Sequence, residues 1–257
     1  MLSGMHNDWL LSWQLPPGVN AVCTNRLGGV SQPPFDGFNL GDHVQDDPQA
    51  VASNRAHLAA QLGARPVFLQ QVHGVDVVEI QAHTPDGTTA DACWSREVGV
   101  ACTIMVADCL PLLFTHPQGS VVAAAHAGWR GLLGGVIAQT IAALCAHNGL
   151  TPQALSVWLG PCIGPTAFEV GDEVRQAFMH NDASSRAYFT AHPAHAGKWL
   201  ADLAGMARAH LAALGVTDVH GNDSTPTWCT VQQSSRFFSY RRDGVTGRFA
   251  ACIWRQA

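Results

Sequence analysis

Charge is scarce in this sequence. Only 13% of its 257 residues are charged, about half the ~25% of an ordinary globular chain. Lys198 is the single lysine, and the arginines are scattered. No basic stripe is available for a phosphate backbone, so no nucleic-acid partner is expected. The net charge is −5, from 14 basic and 19 acidic residues with 13 neutral histidines. With 47% hydrophobic residues, this composition excludes intrinsic disorder, which needs low hydrophobicity and high charge. A chain of this length buries a sizeable core without staples, and a single domain over 1–257 is expected.

Other absences narrow the class further. Residues 1–11 lack the basic start and long apolar core of a signal peptide. The most membrane-like run, 131–146, is shorter than the ~20 residues that span a bilayer and contains Gln139 and Thr140. A cytoplasmic protein with no membrane partner is expected. The eight cysteines form no C-x-x-C pair, which fits free thiols in a reducing compartment better than a disulfide framework. No G-x-x-x-x-G-K-[ST] loop and no G-x-S-x-G elbow exist, which excludes a P-loop ATPase and a serine-elbow hydrolase.

What is present reads as α+β. Asp47-Pro48 opens a helix that Gly63 stops. Further helices are expected over 131–147, 172–180 and 200–214. Strand signals fall at 19–24, 66–72, 75–80, 98–106, 110–115, 120–125, 154–159, 216–219 and 248–254. Several are joined by short turns, so the sheets should be antiparallel or mixed, with helices covering their faces.

Three polar clusters interrupt these apolar strand ends: Gln70-Gln71-Val72-His73-Gly74, Ala107-Asp108-Cys109-Leu110-Pro111, and Ala125-His126-Ala127-Gly128-Trp129-Arg130-Gly131. The last two flank a stretch that reads as a strand hairpin, which would bring Cys109 and His126 to one end. Two imidazoles and a thiolate suit zinc and leave a fourth position open. The spacing is not that of a zinc finger. The same residues suit a cysteine nucleophile with a histidine base, or a structural role in turns and core. Gly128, Gly131, Gly134 and Gly135 surround a helix start, where free N–H groups attract anions and Arg130 could grip phosphate. Close helix–sheet packing would use the same glycines.

Together with these clusters, the sequence carries Thr24-Asn25-Arg26-Leu27-Gly28-Gly29-Val30-Ser31, Asn39-Leu40-Gly41-Asp42, Asn54-Arg55, Ala90-Asp91-Ala92, Gly160-Pro161-Cys162-Ile163-Gly164, Phe168-Glu169-Val170, and Phe237-Phe238-Ser239-Tyr240-Arg241-Arg242 followed by Gly247-Arg248. In these motifs it resembles the laccase-domain proteins, long labelled multicopper polyphenol oxidases and now assigned as purine nucleoside phosphorylases. The resemblance implies a layered α/β/β/α fold with mixed sheets, like that of the cytotoxic necrotizing factor deamidases and their Cys/His pair. It implies a zinc site and catalytic centre at His73, Cys109 and His126. It implies phosphorolysis of adenosine, inosine and methylthioadenosine, with adenosine deamination as a side activity, for which a carboxylate such as Asp91 or Asp108 would move protons. Arg26, Asn39, Asp91, Asp108 and Arg242 become candidates to bind substrate alongside Arg130. A purine nucleoside and phosphate are then the partners of a monomer.

Two alternatives stand beside this. A Cys/His amidohydrolase acting on a cell-wall peptide precursor would use Cys109 and His126 without metal. A copper-dependent polyphenol oxidase would need a copper cluster, commonly built from His-x-His pairs. The 13 histidines include no such pair, the nearest being His192-Pro193-Ala194-His195. A single site of two histidines and a thiolate would still bind copper in vitro, because copper outranks zinc in raw affinity.

Overall fold

A computed structural model describes residues 7–256. The opening stretch considered for a signal peptide lies partly outside these residues. The strands are β1 (Val19–Cys23), β2 (Arg65–Phe68), β3 (Val77–Glu79), β4 (Ala92–Ser95), β5 (Val100–Val106), β6 (Leu110–Thr115), β7 (Val122–Ala127), β8 (Ser156–Leu159), β9 (Glu169–Gly171), β10 (Phe189–Ala191), β11 (Lys198–Ala201), β12 (Asp218–Gly221) and β13 (Phe249–Arg255). The helices are α1 (Pro48–Leu62), α2 (Trp129–Gly134), α3 (Val136–Asn148), α4 (Asp172–Asn181), α5 (Leu203–Ala213) and α6 (Tyr240–Asp243). None of the described helices is long and apolar enough to cross a membrane, and all eight cysteines are unbridged.

Three sheets form. One is four-stranded in the order β1-β13-β5-β2, one six-stranded in the order β12-β8-β6-β7-β4-β3, and a small one runs β10-β11-β9. The two larger sheets are mixed. The β2–β5, β3–β4 and β8–β12 pairs are parallel and the others antiparallel. The fold is therefore α+β with several mixed sheets, as expected.

Strand alternation sorts the apolar side chains into layers. On β5, Cys102, Ile104 and Val106 face β4, β6 and β7 through Cys93, Leu113, Val122 and Ala124. The alternate residues Ala101 and Met105 pack with Leu58 and Leu62 of α1. In the six-stranded sheet, Leu112, Phe114, Ala123 and Ala125 turn the other way, onto Ile137 and Ile141 of α3 and onto α5. The order of layers is thus α1, four-stranded sheet, six-stranded sheet, then α3 and α5.

Local chemistry sets the helix ends. The Asp47 side chain accepts from the Gln49 N–H at 2.9 Å, Pro48 occupies the first turn, and Gly63 closes α1 at φ 59°. The single helix expected over 131–147 is two helices, because Gly135 sits at φ 94° between α2 and α3. No side-chain cap reinforces either start, and the glycine backbone makes the bend cheap. Further differences are short strands. β4, β9, β10 and β11 were not marked by any strand signal, three or four residues being too few to show a period. The strands expected over 98–106, 110–115 and 120–125 form, but they do not share a sheet: β5 lies in the four-stranded sheet, and β6 and β7 in the six-stranded one. The turn Ala107-Asp108-Cys109 is the crossing between the two.

Candidate metal centre and cavity

That crossing point is where the three clusters meet. β6 and β7 pair antiparallel, with Leu110 opposite Ala127 and Pro111 opposite His126. Cys109 and His126 therefore emerge at the same end of the hairpin. His73 arrives from the loop after β2 with φ 61°, and Asp108 beside Cys109 has φ 103°. Two non-glycine residues held in the left-handed region mark a backbone whose conformation is fixed by its surroundings. The three potential ligand atoms lie within 4.8 Å of one another, and Cys109 Sγ is 3.7 Å from His73 Nε2. The His73 and His126 rings meet edge to face at 4.8 Å.

Asp91, immediately before β4, organises this group. Its carboxylate is fully buried and accepts from the backbone N–H groups of Val72 at 3.2 Å, His73 at 2.9 Å and Gly74 at 2.6 Å. It also lies 2.8 Å from His126 Nδ1. One carboxylate thus fixes the His73 loop and the orientation of His126. Burial would raise the Asp91 pKa, but the bonds from His126 and the backbone more than offset it and hold it below the usual range. With Nδ1 facing Asp91, His126 turns Nε2 towards Cys109.

The thiol responds to the same neighbours. Burial pushes Cys109 up, but the His126 imidazolium and hydrogen bonds from His126 and His73 bring it down to about 6. Burial lowers His126, but the Cys109 thiolate and Asp91 raise it to about 9. In the absence of metal the pair is a thiolate facing an imidazolium. Space is tight on one side. A side chain at Gly128 would place its Cβ 2.9 Å from His73 Cδ2 and 3.0 Å from Cys109 Sγ. The set fits a metal ion: a thiolate and two imidazoles, one imidazole oriented from behind by a carboxylate, with an open face.

The open face looks into a cavity of about 860 Å³ lined by all three residues. Asp108 and Arg130 also line it, but both Asp108 oxygens are engaged, one by the Thr230 hydroxyl at 2.5 Å and one by the Arg241 N–H at 2.6 Å. Arg130 is exposed and lies over the Trp129 ring at 4.3 Å. Arg26, Asn39, Asp91 and Arg242 are not among the lining residues. Arg26 is tied to Asp36 and the Ser234 carbonyl. Arg242 forks onto the Asp243 carboxylate and donates to the carbonyls of Thr230, Val231 and Phe237. Asn39 is buried and bonded to Gly41, Asp46 and the Arg248 N–H. The lining adds Gln71, Tyr240, Arg241 and Arg248, which lie in the quoted motifs without an assigned role, and His43, which lies in none of them. A polar residue at a loop or strand edge reveals its direction only once the sheets are placed.

A second convergent group, Glu169, His192 and His195, lies elsewhere. Its two rings are stacked at 4.3 Å and only 5° from parallel. Ring-nitrogen lone pairs lie in the ring planes, so these two cannot converge on one ion. His192 Nδ1 also accepts the N–H groups of Ala194 and His195, which leaves the ring N–H of the neutral imidazole on Nε2. The group clasps a hairpin rather than a metal.

Comparison with known proteins agrees with this architecture. A family model described as multi-copper polyphenol oxidoreductase laccase matches residues 20–256. A Pseudomonas aeruginosa protein named purine nucleoside phosphorylase is 52% identical over 251 residues, 97% of this chain and 99% of its own. An Escherichia coli protein of the same name, YfiH, is 48% identical over 244 residues, 94% of this chain and 96% of its own. The crystal structure of a Neisseria meningitidis protein of the DUF152 family model superposes with a TM-score of 0.88 at 43% identity, covering 98% of this chain and all of that one.

Proposed function

The chain belongs to the multi-copper polyphenol oxidoreductase laccase family, and from that premise we propose that it is a zinc-dependent purine nucleoside phosphorylase acting on adenosine, inosine and methylthioadenosine. The observation that carries this reading is the open His73–Cys109–His126 face on a cavity of about 860 Å³, in a chain about half identical to proteins named purine nucleoside phosphorylase. The donor set argues against the oxidase in the family's description. A multicopper centre needs several ligand groups, and among the described residues only one group of histidine and cysteine converges with usable geometry.

In phosphorolysis a hydrogenphosphate oxygen bonds to C1′ of the ribose as the C1′–N9 bond breaks. The bonding pair goes to the purine, which takes up the proton that the hydrogenphosphate gives up, and the products are the free purine and the sugar 1-phosphate. Charge develops on both fragments, so positioning and electrostatics dominate catalysis. Zinc, when bound, would supply positive charge beside the reacting groups. The chain's own residues hold that charge in place: Asp91 keeps the proton of His126 on Nδ1, and Cys109 stays a thiolate. Adenosine deamination as a side activity belongs to the same reading. Neither Asp91 nor Asp108 presents a free oxygen to the cavity, so proton transfer by either is not supported by their bonding.

The test is direct. Protein purified without added metal should carry about one zinc per chain by mass spectrometry, and His73→Ala and His126→Ala should lose it. Inosine cleavage should require phosphate and give ribose 1-phosphate. Full zinc in both variants, or equal rates without phosphate, contradicts the reading.

One observation favours a second reading. Asp91, His126 and Cys109 stand in a row, the arrangement of a thiol hydrolase. A Cys/His amidohydrolase acting on a cell-wall peptide precursor would use Cys109 as a free nucleophile, and would form a thioester that zinc ligation forbids.

A further inference from the structure

Four arginines reach the cavity, of which one is ion-paired and two are exposed. Arg55 pairs with Asp42 at 3.2 Å, donates to the Leu40 carbonyl at 2.9 Å and stacks on Phe68 at 4.0 Å. Arg241 donates to the Glu169 carbonyl at 2.9 Å and is exposed. Arg130 is exposed over Trp129. Its helix, α2, has six residues and no side-chain cap.

Arg248 is different. It is half-buried and forms no ion pair among the described residues. Its position is nonetheless fixed with care. The buried Asn39 accepts its backbone N–H at 2.8 Å. Its stem lies against Gly41, where a Cβ would come within 2.7 Å of Arg248 Cγ. Nη1 donates to the carbonyls of Thr246 and Gly247, both at 3.0 Å. Among the described residues the Nε–Nη2 edge has no hydrogen-bond partner, and that is the edge that meets an oxyanion with two parallel N–H donors. Burial disfavours this cation, and Arg248 lines the same cavity as His73, Cys109 and His126. A guanidinium drawn out of water with no counter-ion is costly unless a ligand supplies one.

We propose that Arg248 is the phosphate-binding residue of the cavity, taking a phosphate dianion on its Nε–Nη2 edge next to Cys109. This rests on the phosphorylase reading for its biological meaning. The geometry accounts for two otherwise unassigned features. Asn39, expected to touch substrate, instead positions Arg248, and Gly41 leaves room for the arginine stem.

The experiment compares wild type, Arg248→Gln and Arg248→Lys, each zinc-loaded. Two quantities are read: KM for phosphate and for inosine in steady state, and binding of inorganic phosphate alone by titration calorimetry. Arg248→Gln should raise KM for phosphate at least tenfold and leave KM for inosine within twofold. Arg248→Lys should fall between, because it keeps the charge and loses the fork. Should Arg248→Gln fail to fold, Arg248→Lys decides. An unchanged phosphate KM in both variants overturns the proposal, as does a phosphate KM that responds to Arg130→Gln instead. The two readings separate cleanly. Phosphate binding lost with Arg248 in a protein that cleaves no nucleoside supports the anion site and removes the phosphorylase. Nucleoside phosphorolysis indifferent to Arg248 does the reverse, and a wild-type protein that binds no phosphate overturns the proposal.

Discussion

Cys109 is a weak acid made stronger by two neighbours. Its thiol, brought down to about 6, remains a thiolate until the pH falls through that value. His126, raised to about 9, keeps its proton until the pH rises through 9. In zinc-stripped protein, iodoacetamide labelling of Cys109 should therefore rise with a midpoint near pH 6, and His126→Ala should move that midpoint upward. In zinc-loaded protein the lone pair is shared and labelling should be slow at every pH. Peptide mapping separates Cys109 from the other seven cysteines. Rapid labelling of Cys109 in zinc-loaded protein would favour the thiol hydrolase. Asp91 acts one step further back. Asp91→Asn keeps the volume but replaces a buried carboxylate that three backbone N–H groups and His126 share. Zinc affinity, read by chelator competition, should fall roughly 10–100-fold, the usual effect of removing a group that orients a ligand. Unchanged affinity would show that His126 needs no such support.

Among the elements, the β6–β7 hairpin does most to build the site, and it was legible in advance. The apolar strands at 110–115 and 120–125 with a Pro-Gln-Gly turn between them predict it, and its register delivers Cys109 and His126 to one end. His73 was identified by cluster and resemblance, because its loop joins from another sheet and no local period points at the hairpin. Arg248 closes one of the motifs behind the resemblance, but its role was not legible. It begins near the edge of β13, and its direction depends on Asn39 and Gly41 from a distant loop. The break between α2 and α3 was also hidden, since Gly134-Gly135 reads equally as a packing stripe and as a kink. Gly128 joins β7 to α2 and leaves no room for a side chain against His73 and Cys109. We expect Gly128→Ala to lose zinc while the melting temperature falls by only a few degrees, as measured by metal content and thermal denaturation on the same sample. Retained zinc would show that the loop can yield.

Across the whole molecule, the site sits where the chain passes from one large sheet to the other. His73 follows β2 of the four-stranded sheet, Cys109 ends the crossing from β5 to β6, and His126 lies in the six-stranded sheet. The α+β class and mixed sheets were readable from turn lengths and strand composition. The assignment of β5 and β6 to different sheets was not, because a three-residue turn serves a hairpin and a crossing alike. Two packed sheets supply the ligands from separate layers. What this scaffold is proposed to do is let a phosphate oxygen attack a ribose carbon. The most direct measurement supplies inosine and phosphate labelled in every oxygen with ¹⁸O to the zinc-loaded enzyme and follows the products by ³¹P NMR and mass spectrometry. The account predicts ribose 1-phosphate that retains all the labelled oxygens, together with unlabelled hypoxanthine. Free ribose, or a sugar phosphate that has lost one labelled oxygen, would contradict it.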